Sequence, residues 1–170
     1  WKEAHSADLP RWIEAIGAID AYCSLATFSY NHPDYIYPQI TSQSFHLQAE
    51  ALGHPLMDRN KCVRNGIDME KRPFFIIITG ANMAGKSVVL KTVGLAQLMA
   101  QFGYFVPADK ACITPVQEVL SSIGDAQDEL EGLSSYAAEM LRINEIIKKK
   151  RNGMRLLALI DEPARTTNPE

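Results

Sequence analysis

The sequence predicts an α/β fold, a sheet with flanking helices behind a short helical connector. Three observations carry this. Phe74-Phe75-Ile76-Ile77-Ile78 and Leu156-Leu157-Ala158-Leu159-Ile160 are apolar runs of strand length without alternation, the pattern of strands covered on both faces. Each adjoins a segment of helical periodicity, after the first run and before the second. Ile78 is joined to its helix by a short, glycine-bearing stretch, Thr79 to Ser87.

The elements follow in order. Residues 10–29 predict an amphipathic helix, with Trp12, Ile16, Ile19, Cys23 and Ala26 at spacings of three and four and Pro10 near its start. Residues 30–44 read as a loop whose tyrosines at 30, 35 and 37 pack against other parts of the protein. Residues 45–52 are ambiguous, and Gly53-His54-Pro55 makes a turn in which His54 is a packing residue. Residues 58–73 are polar, with a short strand expected near Cys62-Val63. From Ser87 a helix sets Val89, Val93, Ala96 and Ala100 on one face and stops at Gly103. Residues 110–114 and 116–120 are short candidate strands. Residues 134–150 predict a helix with Tyr136, Met140, Ile143 and Ile147 on one face.

The chain has 170 residues, room for one domain or one domain with an appendage, and at 46% hydrophobic it can bury a core. A net charge of −3 argues against a broad nucleic-acid-coating surface and leaves room for a local basic patch. Cys23, Cys62 and Cys112 lie far apart without metal-binding spacing, which suits a reducing cytoplasm. No apolar run reaches membrane-spanning length and no signal peptide is visible.

Gly80 to Ser87 matches G-x-x-x-x-G-K-S, the phosphate-binding loop, between an expected strand and an expected helix. Triphosphate is a dense anion, best held by backbone N–H groups, a helix N-terminus and one mobile cation. Gly80 and Gly85 let the backbone wrap closely. Lys86 can set its ammonium between the outer phosphates, and the Ser87 hydroxyl can ligate Mg²⁺. The ligand expected at Gly80, Ala81, Asn82, Met83, Ala84, Gly85, Lys86, Ser87 and Val88 is therefore a nucleoside triphosphate with Mg²⁺. The second apolar run ends in Asp161-Glu162. Carboxylates so placed hold Mg²⁺ and polarise water, which suits Asp161 to the metal and Glu162 to the general base. Strand ends in an open α/β sheet converge on one crevice, so loop and acidic pair belong to one site. Gly132-Leu133-Ser134-Ser135 precedes the second helix. It is either an ordinary N-cap or a second anion site, the element that in ATP-binding-cassette architectures faces the γ-phosphate of the opposite subunit.

These residues resemble the MutS family of ATPases. Thr79–Ser87 resembles its TGPNMGGKS, Gly53-His54-Pro55 its GHP, and residues 103–108 its G-x-x-V-P-A. Gly132, Ser134, Ser135 and Glu139-Met140 resemble GxST…EM, and residues 161–167 resemble DEIGRGTS. The resemblance implies a P-loop NTPase of the ATP-binding-cassette type over residues 45–170, with residues 1–44 a helical connector from the lever region. It implies a homodimer in which Ser134 serves the partner's ATP, Val63 and Asn65 near the adenine, and DNA bound by parts of the protein outside this chain. Ala81, Ala84, Leu133 and Pro163-Ala164 depart from the family pattern, and Cys62 stands where many members carry an aromatic. Residues 91–95 and 168–170 lean toward the branch that lacks a mismatch-reading domain. The client is thus mismatched DNA, branched DNA, a ribosome or a partner protein, or the chain is a nucleotide-binding scaffold without turnover. The chain opens on Trp1 and ends nine positions past Asp161, so a truncated ATPase domain is expected, active in the full-length dimer and inactive alone. Lys148-Lys149-Lys150-Arg151 is a solvated helix end or a DNA-backbone contact.

Overall fold

A computed structural model describes residues 2–42, 45–70, 74–81, 84–123 and 135–163. They fall into two compact units, Trp1–Tyr35 and Ile36–Glu170. The first holds α1 (Lys2–His5), which was not expected, and α2 (Leu9–Asn31). Pro10 sits at the start of α2, where its missing N–H costs no helix bond. The periodicity predicted the helix, but its apolar residues are uncovered: Trp12, Ile16 and Ile19 are exposed and no residue of α2 is buried. The helix ends at a small aromatic cluster in which the His32 ring lies 4.4 Å from Phe28 and stacks 4.6 Å from Tyr35.

The second unit runs β1 (Gln39–Ile40), β2 (Leu47–Leu52), β3 (Asn65–Asp68), α3 (Lys86–Gln101), β4 (Lys110–Ile113), β5 (Glu118–Ser122), α4 (Ser135–Arg151) and β6 (Leu156–Ile160). Four strands form a sheet in the order β1-β4-β2-β3, parallel between β1 and β4 and antiparallel elsewhere. The ambiguous segment 45–52 resolves as β2. Leu47, Ala49 and Leu52 are buried while Gln48 and Glu50 are exposed, the alternation of a sheet with one covered face. The β2–β3 register shifts between Ala49 and Leu52, where Ala51 takes a φ of 51°, the signature of a bulge. The strand expected near Cys62-Val63 forms instead at Asn65–Asp68, where Ile67 buries its side chain against Ala49. Within the expected loop 30–44, Gln39–Ile40 pairs with β4. Tyr30 and Tyr37 are largely exposed, although the Tyr37 ring meets Phe105 edge-on.

β5 and β6 make a parallel pair joined through α4, as parallel strands require a crossover. β6 forms over the residues that the sequence predicts. α3 packs against β2, β5 and β6. Its Val93, Ala96 and Ala100 enter the core with Leu47, Leu157 and Leu159. Gln97 is fully buried, and its amide nitrogen donates to the Thr114 carbonyl (2.9 Å) and to Gln101 (2.7 Å), tying α3 to the link between β4 and β5.

The expectation for 74–78 fails. The run forms no strand, and Phe75 and Ile77 are 61% and 75% exposed. Phe74, Ile76 and Ile78 share with Leu156–Ile160 the walls of a trench of about 910 Å³. In the sheets, β6 pairs with β5, and residues 74–78 join no ladder. Apolar composition marked the run for burial without supplying the partner that burial needs.

α4 shows part of its expected face: Met140 and Ile143 are partly covered, but Ile147 is exposed, and the covered side also takes in Ala138, Ile146 and Lys149. Lys149 Nζ meets Glu118 of β5 and Glu145 one turn back, fixing this face inward. Hydrogen bonding to Lys149, then its charge, holds the Glu145 carboxyl below the usual range, and hydrogen bonding to Glu118, then Glu145, raises Lys149. A lowered carboxyl stabilises above its ordinary pKa and loses that contribution as pH falls through the lowered value. Lys149→Met is therefore expected to lower the melting temperature slightly at neutral pH. Melting curves of the two proteins should converge below about pH 4; a constant difference would show that the ion pairs are not its source.

Candidate nucleotide-binding site

α3 starts where the chain permits. Gly85, just before it, has a φ of 89°, a left-handed conformation that is cheap only for glycine. The first-turn amides of Lys86, Ser87 and Val88 have no helical acceptor and form the positive end of the helix. Upstream, the Ala84 N–H donates to the Ala81 carbonyl at 3.2 Å, closing a turn across the loop. Asn82 and Met83 lie outside the described residues, as does Ser134.

The Lys86 ammonium folds back onto this loop. It donates to the carbonyls of Gly80 (3.0 Å) and Ala81 (3.4 Å), and Glu162 Oε1 lies 3.7 Å away. Two motifs more than seventy residues apart thus meet, although the run before the loop forms no strand and the meeting is not one of two strand ends. The acidic end of β6 is fixed by backbone: the Asp161 N–H donates to the carbonyl of buried Ser122 at 3.0 Å, carrying the β5–β6 pairing one residue further. Glu162 has a φ of 42°, the left-handed region in which an L residue is strained, and Pro163 follows it.

Gly94 lies where α3 packs on β6: a Cβ there would stand 2.5 Å from Leu159 Cδ1, and the leucine methyl would have to move to admit it. Sequence reading missed Gly94, although a lone glycine inside a helical pattern is itself a sign of close packing. It also missed Ser122, which nothing in the local sequence marks.

Ser87 and Asp161 bring one hydroxyl and one carboxylate, hard oxygen donors of the kind Mg²⁺ accepts alongside phosphate and water. Ser87 is in the first turn of α3 and Asp161 follows the strand on which α3 packs. No group of three or more metal-ligating side chains occurs among the described residues, so the protein alone offers no closed metal cage there.

Val63 and Asn65, expected near the adenine, are tied to each other. Asn65 Nδ2 donates to the Val63 carbonyl at 3.3 Å, and Val63 is 78% exposed. Beside them the Gly53 N–H donates to the Pro107 carbonyl (2.7 Å) and the His54 N–H to Cys62 Sγ (3.2 Å). His54 Nδ1 accepts from the Leu56 N–H, so His54 serves its own turn. Val106 and Ala108 are fully buried, which makes residues 105–108 a core element supporting that turn. Within the basic run, Lys149 is engaged by Glu118 and Glu145. No described helix is long and apolar enough to cross a membrane.

Comparison with known proteins bears on the same residues. The profile of MutS domain V matches residues 76–170. The chain is 35% identical over 167 residues to the DNA mismatch repair protein MutS of Haloquadratum walsbyi, covering 97% of this chain and 17% of that protein. It is 40% identical over 117 residues to the endonuclease MutS2 of Thermus thermophilus, covering 69% and 15%. It is 35% identical over 165 residues to the endonuclease MutS2 of Geobacillus kaustophilus, covering 95% and 20%. The chain spans a fifth or less of the length of these relatives.

Proposed function

The chain belongs to the MutS family, and from that premise we propose that it is the ATP-binding and ATP-hydrolysing domain of a nucleotide-driven conformational switch acting on DNA. The observation that carries this reading is the meeting of Lys86 with the acidic end of β6, at the N-terminus of a helix that packs on that strand. A cation, free helix amides and a carboxylate pair are what a triphosphate with Mg²⁺ requires. In this reading the fold is a P-loop NTPase of the cassette type. Lys86 and the backbone of Gly80–Val88 hold the phosphates, Ser87 and Asp161 hold Mg²⁺, and Glu162 activates water. Val63 and Asn65 line the adenine side, and Ser134 of a second copy completes the site. The likeness to proteins named for mismatch repair and to proteins named MutS2 endonucleases supports a DNA client, mismatched or branched, reached through the rest of the full-length dimer.

The test separates binding from turnover. In the full-length protein Glu162→Gln keeps the shape of the side chain and removes its basicity. ATP should still bind while hydrolysis falls by about 100-fold or more. An unchanged hydrolysis rate would remove Glu162 as the base. A second reading, a nucleotide-binding scaffold without turnover, is favoured by the alanines at 81 and 84; wild-type hydrolysis above background would end it.

A further inference from the structure

The loop that should receive phosphate has its own cation turned inward. Lys86 spends its ammonium on the Gly80 and Ala81 carbonyls and on the field of the Glu162 carboxylate. Two consequences follow from elementary electrostatics. An anion approaching Lys86 meets carbonyl oxygens and a carboxylate, all of its own sign, gathered around the charge it seeks. And the peptide groups of Gly80 and Ala81 present oxygen to this cation, while a phosphate needs N–H groups presented to it. Phosphate cannot be added to this arrangement; it has to displace it.

The backbone of Glu162 bears on the same point. A φ of 42° is unfavourable for any L residue, and the residue before a proline prefers extended backbone. The carboxylate end of the strand is thus held, beside Lys86, in a conformation from which it can relax.

We propose that the contact between Glu162 and Lys86 is a latch, so that nucleotide entry and release of Glu162 to its water-activating position are one event. Incoming phosphate takes the ammonium, the Gly80 and Ala81 carbonyls turn away, and Glu162 leaves by like-charge repulsion and by relief of its backbone. The base is then free only when a nucleotide is present. This rests on the nucleotide site proposed above, and it makes Glu162 a determinant of binding kinetics, a property that a general base alone lacks.

ADP separates the two roles because there is no γ-phosphate to hydrolyse. Association of a fluorescent ribose-labelled ADP with the full-length protein is measured by stopped flow for wild type, Glu162→Gln, Glu162→Ala and Lys86→Ala. Both Glu162 substitutions should speed association by about two- to fivefold, the range that loss of one partly exposed ion pair permits. Equal rates for wild type and both Glu162 variants, with Lys86→Ala unable to bind, would overturn the latch and leave the site standing. ADP binding retained by Lys86→Ala would overturn the site and the latch with it. Wild-type melting temperatures in the variants would assign the rates to the contact rather than to misfolding; if Glu162→Gln is destabilised, the Glu162→Ala rate decides.

Discussion

Replacing Leu159 with alanine is expected to destabilise the protein by about 2–5 kcal/mol, the cost of emptying a buried leucine site. Replacing Gly94 with alanine should also destabilise it, although alanine is the better helix former. The propensity gain is about 1 kcal/mol. Against it stands the 2.5 Å approach of the new Cβ to Leu159 Cδ1, and forcing atoms into a filled core costs about 1–3 kcal/mol. The leucine is 6% exposed and lines the trench, so its methyl can escape only by turning into that trench and giving up its contact with α3, and packing outweighs propensity at the low end of that range. The two substitutions should interact with a change of sign. In the Leu159→Ala background the methyl group is gone, and Gly94→Ala should become neutral or stabilising. Denaturant midpoints of the four full-length proteins measure this cycle. Simple additivity would mean that α3 and β6 are not in the contact described.

That contact also shows what was legible in the sequence. β6 could be read to its ends because five consecutive apolar residues run into an acidic pair with no glycine or proline inside. α3 could be read because Val89, Val93, Ala96 and Ala100 repeat at helical spacing; three of the four are buried and the other packs against the core. The face of α4 was read in part. Met140 and Ile143 are partly covered, but Ile147 is exposed, because the pairing of Lys149 with Glu118 brings a charged residue to the covered side. Residues 74–78 were misread. Their composition asks for burial, and burial of a strand is a property of its neighbours, which local sequence does not contain. At the candidate site, the meeting of Lys86 and Glu162 was expected from the chemistry of the two motifs, but not by the route found, because residues 74–78 form no strand whose end could converge with that of β6. Gly94 and the anchor Ser122 were not expected, because each acts through a residue far away in the chain. The expectations for Asn82, Met83 and Ser134 fall outside the described residues.

The largest functional effect belongs to Lys86. Lys86→Ala deletes the mobile cation of the loop and leaves the backbone amides and the helix N-terminus in place. Removing one member of a hydrogen-bonded charge pair costs about 2–5 kcal/mol, which is roughly 30- to several-thousand-fold in affinity. The glycines that shape the loop are untouched and the Lys86 side chain is partly exposed, so the fold should tolerate the change. Its effect should fall on the nucleotide alone.

The central claim, that Gly80–Ser87 seats a nucleotide, is therefore tested most directly by equilibrium binding of radiolabelled ATP with Mg²⁺ to the full-length protein, wild type beside Lys86→Ala. Saturable binding by wild type, with affinity lowered about 100-fold or beyond detection in a folded Lys86→Ala protein, is the predicted result. Equal affinity in the two would contradict it, and would place any nucleotide this protein binds outside the loop.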